Sequence, residues 1–253
     1  MLRFRLLLIP LFFLVFVSSG FAGPVEKTPV VSVAVAANFG TTFDKIVKAF
    51  QKQSKIRVEI SLGSTGLLYA QITNGAPYDI FLSADKKRPF LLEKNKQIIQ
   101  GSRFTYAYGQ LALWDPGVTI KDAHAAREIL NSRKFHYLAL AQPKSAPYGL
   151  AAQQALMKMR LYEELRHSLV YGLNIGQTFS YVKSGNAEIG FVANSQVLGN
   201  KSVWLVPRSY YSPIKQQAVL LLHASNNVAA RKLFNFMKTK QVRKIIIDSG
   251  YYL

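Results

Sequence analysis

The chain has 253 residues, with 32 Lys and Arg against 13 Asp and Glu, for a formal net charge of +19. Apolar residues make up 49% of it, including 16 Phe and 13 Tyr, enough to pack a core and to exclude a disordered chain. It contains no cysteine, which excludes disulfides, thiolate catalysis and thiolate metal sites.

Residues 1–22 read as a secretory signal. Arg3 and Arg5 form the basic start, residues 6–17 the apolar segment, and Gly20-Phe21-Ala22 a small-residue cleavage site. The apolar run is short for a membrane span, so the expected mature chain is exported to the periplasm. Arg3 and Arg5 are the only charged residues in that segment, so its removal takes +19 to +17. The remaining positive charge is scattered over polar helix faces, and Lys86-Lys87-Arg88 is its longest run. That pattern fits a solvated basic surface that speeds arrival of an anion, not a nucleic-acid recognition module.

The segment 30–37, VVSVAVAA, has the pattern of a buried strand. Asn38, whose side-chain amide can cap or donate to a ligand, stands at its junction with an amphipathic helix running to about residue 53, with Phe43, Ile46, Val47 and Phe50 inward. A second strand, 56–60, runs into Gly63-Ser64-Thr65-Gly66 and a helix with Leu67, Leu68 and Ile72 on one face. Ser64 and Thr65 are capping residues with hydroxyl donors. Unpaired N–H groups at such a helix start, at the positive end of its dipole, make an anion site. A turn at Asn74-Gly75-Ala76-Pro77, a strand at 79–82 and a helix through Lys94 complete a βαβαβα alternation. The natural architecture is a parallel, doubly wound sheet whose ligands sit at the carboxyl ends of strands.

Residues 106–114 read as one long strand, followed by a helix (121–132), a strand (137–141) and a loop (142–149). Then come a helix to residue 159, a strand (170–173), and Asn174-Ile175-Gly176-Gln177 opening a helix to about 183. Strands at 188–193, 203–206 and 218–223 and helices at 226–237 and 241–248 finish the chain. The middle third repeats the alternation of the first. The expectation is two α/β lobes around a cleft, lobe 1 from 30–108 with 216–253 and lobe 2 from 109–215.

His124, His136, His167 and His223 lack metal-ligand spacing, and no hydrolase, zincin or Walker motif occurs, so an enzyme is not expected. Tyr210-Tyr211 could suggest hard ligands for ferric iron, but adjacent tyrosines after a strand read better as packing residues.

AANF at 36–39, GSTGLLYAQI at 63–72, NGAPYDIFLSAD at 74–85, PYGLAAQQAL at 147–156 and EIGFVANSQ at 188–196 together resemble the periplasmic molybdate-binding proteins of ABC transporters. The resemblance covers nearly the whole mature chain. It implies a type II periplasmic binding protein fold closing on a molybdate or tungstate oxyanion. That anion would be held by neutral donors with no direct metal ligand and no cofactor, and an ABC membrane permease would receive it from a monomer. Sulfate, phosphonate or ferric iron are the alternative cargoes. The donors implied by position are Asn38, Thr65, Tyr148 in the 147–149 loop, and the N–H of Ile175, with Ser64, Ala37 and Ala193 beside them. Where many members carry a tyrosine in a G-I-V-Y segment, this chain has Gly190-Phe191-Val192-Ala193. Tyr148 stands where others have a small residue and could supply that hydroxyl from the other side.

Overall fold

The computed structural model describes residues 28–253; the signal segment expected at 1–22 lies outside them. The first strand, β1 (Val30–Ala36), buries its apolar run and ends in a single 3-10 turn, Ala37–Phe39. Helix α1 (Gly40–Gln51) follows, with Phe43, Ile46, Val47 and Phe50 buried along one stripe. Next come β2 (Arg57–Gly63), α2 (Thr65–Thr73), β3 (Ile80–Ser83), α3 (Lys87–Lys94) and β4 (Phe104–Gly109). The chain then continues as β5 (Leu111–Trp114), α4 (Ala123–Ser132), β6 (Leu138–Ala141), α5 (Pro147–Lys158) and β7 (Leu169–Gly172). It closes with α6 (Ile175–Lys183), β8 (Ile189–Ala193), β9 (Val203–Leu205), β10 (Ile214–Leu220), α7 (Val228–Phe236) and α8 (Lys240–Asp248).

Two five-stranded sheets result, in the orders β2-β1-β3-β10-β4 and β7-β6-β8-β5-β9. Each has the parallel core expected of alternating strands and helices: β1 beside β2 and β3, and β6 beside β7 and β8. The sheets are mixed, however. β10 runs antiparallel between β3 and β4, and β5 antiparallel between β8 and β9.

These antiparallel strands mark where the chain changes sheet. The continuous strand expected at 106–114 is two strands, β4 in the first sheet and β5 in the second, parted at Gly109-Gln110. No Pro or Asn-Gly signals that break. Gly109 is required by close approach instead, since a Cβ there would fall 2.2 Å from the Tyr148 hydroxyl. The return crossing lies between β9 and β10.

The second half's core cluster includes Ala36 and Ala84 of the first half, so the halves are packed together across the cleft. No described helix is long and apolar enough to cross a membrane.

Candidate functional site

The register of each parallel pair brings two helix starts side by side. Ala36 pairs with Gly63 at the ends of β1 and β2, so the 3-10 turn and the start of α2 are neighbours. Ala141 pairs with Gly172 at the ends of β6 and β7, which does the same for α5 and α6. The four starts face one another across the cleft around a small cavity of about 10 Å³. Ala37, Asn38, Ser64, Thr65, Tyr148 and Ile175 are among its lining residues, and no charged side chain is. Hollows of about 660 and 510 Å³ lie elsewhere, beside Pro29, Ile56 and Lys232; size does not mark the convergence of donors.

Hydrogen-bond accounting shows which donors remain. Ser64 caps α2 by accepting from the Leu67 N–H at 3.4 Å, and the Gly66 N–H donates to the Ser145 carbonyl at 2.8 Å. The Thr65 N–H, first in the helix, has no partner among the described residues. Asn174 caps α6 by accepting from the N–H groups of Gly176 (2.8 Å) and Gln177 (3.0 Å), again leaving the first one, that of Ile175. In α5 the N1 residue is Pro147, which has no N–H, and the Leu150 N–H donates to Ala146 O. The Tyr148 N–H is left over. The Asn38 N–H, in the first 3-10 turn, is likewise unspent. These are the donors a helix start cannot satisfy internally. The Thr65 hydroxyl accepts from the Ala84 N–H at 2.9 Å, leaving its own proton to donate.

Three sequence expectations change at the atomic level. The Asn38 side-chain amide does not point free into the cleft: its Nδ2 donates to Gln216 Oε1 at 2.8 Å and to the Tyr251 hydroxyl at 3.2 Å. Both amide protons are used within the protein. Tyr148 is not in a loop but in the first turn of α5, because Pro147 starts the helix there. Its hydroxyl sits against Gly109 and Gln216, and neither that hydroxyl nor Gln216 Nε2 makes a hydrogen bond. Ala193 does not line the cavity. It pairs with Leu111 in the β5–β8 ladder and donates its N–H to Gln196 Oε1 at 3.0 Å.

Behind the cavity lies a buried polar cluster. The Tyr106 hydroxyl donates to Ser83 O or Gln216 Oε1, both 3.1 Å away, and the Tyr251 hydroxyl donates to Asn38 O at 2.6 Å. The Phe39 ring packs between Tyr106 and Tyr251, at 4.7 and 5.4 Å. Burial pushes all three phenols up, Tyr106 and Tyr148 well above their ordinary value and Tyr251 to about 12. They stay neutral. Gln216 and Tyr251 went unnoticed in the sequence because they reach Asn38 across separations of 178 and 213 residues, and no local pattern encodes that. Tyr211 accepts the Leu111 N–H at 3.1 Å and Tyr210 packs edge-on to Trp204, so the adjacent pair serves packing.

Two sheets of this topology, joined by two crossings and enclosing helix starts in a cleft, define the class of two-lobed solute-binding proteins. Residues 31–252 match the family of bacterial extracellular solute-binding proteins, and the chain belongs to that family. It is 43% identical over 228 residues to the molybdate-binding protein ModA of Azotobacter vinelandii, covering 88% of this chain and 90% of that one. It is 41% identical to ModA of Rhodobacter capsulatus over 234 residues, covering 92% of this chain and 91% of that one. The solved periplasmic molybdate-binding protein of A. vinelandii superposes with a TM-score of 0.82 at 37% identity, covering 88% of this chain and 99% of that one.

Proposed function

We propose that this chain binds molybdate or tungstate in the periplasm and delivers it, as a monomer and without catalysis, to the membrane permease of an ABC transporter. The observation that carries this reading is the convergence of four helix starts, two from each sheet, on a cavity whose unspent donors are all neutral. The names of the relatives supply the identity of the anion. Residues 30–108 with 216–253 would act as one lobe and 109–215 as the other, bounds that fall within two residues of the end of β4 and the start of β10.

The physical logic is one of desolvation. A buried dianion loses its hydration, and only several convergent hydrogen bonds offset that cost. Hydrogen bonds to a charged acceptor are about twice as strong as neutral ones, and helix N-termini add their dipoles. The N–H groups of Asn38, Thr65, Tyr148 and Ile175, the Thr65 hydroxyl, and Ser64 and Ala37 beside them form the proposed donor set. An acceptor-only anion fits it, because no carboxylate lines the cavity. Room for about one water-sized sphere means that the halves must separate a little to admit four oxygens around a metal, so cavity size would set selectivity.

The test is calorimetric titration of the mature chain with molybdate, tungstate, sulfate, phosphate, a phosphonate and ferric citrate at two salt concentrations. Saturable stabilisation by molybdate and tungstate alone, tolerant of salt, is expected. Binding of sulfate, phosphonate or iron in their place would overturn the proposal.

A further inference from the structure

The second glycine of Gly63-Ser64-Thr65-Gly66 is not among the cavity's lining residues, yet it is a point where the two halves come into close backbone contact. The Gly66 N–H donates to the Ser145 carbonyl of the other half at 2.8 Å. A Cβ on Gly66 would fall 2.9 Å from both the Cα and the carbonyl oxygen of Ser145, which are backbone atoms with nowhere to turn. One residue earlier, Arg88 Nη2 donates to the Lys144 carbonyl at 3.2 Å, while its Nη1 is paired with Asp85. Two successive carbonyls of the loop before α5 are therefore gripped from the first half, one by a helix start and one by a guanidinium held in place by its own carboxylate.

We infer that Gly66 and Arg88 form a latch that exists only when the cleft is closed and that slows escape of the bound anion. Residues 144–145 lead directly into α5, so gripping their carbonyls also positions the Tyr148 N–H over the cavity. The start of α2 is shared: the Thr65 N–H faces the cavity, and the Gly66 N–H faces the opposite half. In an open form Gly66 would sit in an ordinary helical first turn, where alanine is the better residue. Glycine there disfavours the isolated half and favours closure, as expected of a residue chosen for close approach.

The inference rests on the oxyanion-binding reading for its kinetic readout only. The test is Gly66→Ala, with Arg88→Gln as a second variant that adds no bulk. The protein is cysteine-free, so spin labels on cysteines replacing exposed Lys94 and Lys158, one in each half, report the distance between the halves. For Gly66→Ala the expected result is a ligand-free melting temperature equal to or above that of the unaltered protein. Its label distances should shift to longer values, and molybdate should dissociate on the order of tenfold faster with little change in association. Arg88→Gln should shift both readouts in the same direction but less. Unchanged dissociation with unchanged distances would overturn the latch. So would a fall in ligand-free melting temperature for Gly66→Ala, which would mean that the glycine serves its own half. If the unaltered protein binds none of the oxyanions, the functional reading fails by itself, and the label distances still decide the latch.

Discussion

Gly109→Ala tests whether the crossing between the sheets is held by close packing on Tyr148. The added methyl falls 2.2 Å from the Tyr148 hydroxyl, and 2.9 Å from both its Cζ and Gln216 Nε2. Tyr148 is 1% exposed, so its ring has no solvent-facing rotamer to retreat to. Overpacking of this kind costs about 1–3 kcal/mol. In a chain of this size that lowers the melting temperature by about 2–4 °C per kcal/mol. Tyr148→Phe removes the atom at 2.2 Å and also a hydroxyl that has no partner. By itself it should be neutral or stabilising, since an orphaned buried polar group carries a penalty of about 1–3 kcal/mol. The double variant should recover much of the loss, leaving a coupling energy of about 1 kcal/mol or more. Denaturant unfolding of the four ligand-free proteins measures the cycle. Additivity within about 0.5 kcal/mol would refute the packing argument and return Gly109 to the status of an ordinary turn residue.

Thr65→Ala removes a hydroxyl that holds the Ala84 N–H and keeps a proton for the anion; it should weaken molybdate binding by about 1.5–3 kcal/mol, read by calorimetry. Asn38→Ala takes partners from Gln216 and Tyr251, so ligand-free stability should fall together with affinity; loss of affinity alone would mean that the side-chain amide addresses the ligand directly. Alkaline pH should destabilise the protein through Tyr106, Tyr148 and Tyr251, whose folded forms resist ionisation. Below their ordinary value of 10 these phenols are protonated in both states and the contribution is intact. Above 10 the unfolded chain loses protons that the folded chain keeps, up to about 12 for Tyr251 and across the raised values of Tyr106 and Tyr148, so stability falls as the pH rises. Urea midpoints from pH 8 to 11 check this, and a midpoint flat across pH 10 would sink it.

Much of the fold was legible because it is written locally. The spacing of Phe43, Ile46, Val47 and Phe50 is a helix face whatever surrounds it, and those four residues are buried in α1. Ser64 was recognisable as a cap, and Asn174 as part of a segment that opens a helix, because a capping side chain reaches only its own first turn. Both accept from N–H groups of their own first turns. Thr65 was also legible as a hydroxyl at the start of α2, whereas Ile175 was a candidate donor only through the family resemblance.

What the tertiary structure decided involves separations that no window of sequence spans. The run 106–114 has uniform strand character, and only the demand of two sheets for one strand each breaks it at Gly109-Gln110. Asn38 advertised a free amide, but the fold brings Gln216 and Tyr251 to it from the far end of the chain. Tyr148 looked like a loop hydroxyl, whereas Pro147 starts a helix that turns that hydroxyl toward Gly109 and presents the Tyr148 backbone to the cavity. Gly66 read as part of a capping tetrapeptide until Ser145 of the other half came within a hydrogen bond of it. The sequence by itself determined the buried face of α1, the cap at Ser64 and most of the strands, because these depend on nearest neighbours along the chain. Which atoms of those residues remain unspent, and which glycines are contacts, was decided only when the two halves met, because hydrogen-bond satisfaction and steric exclusion belong to the packed molecule.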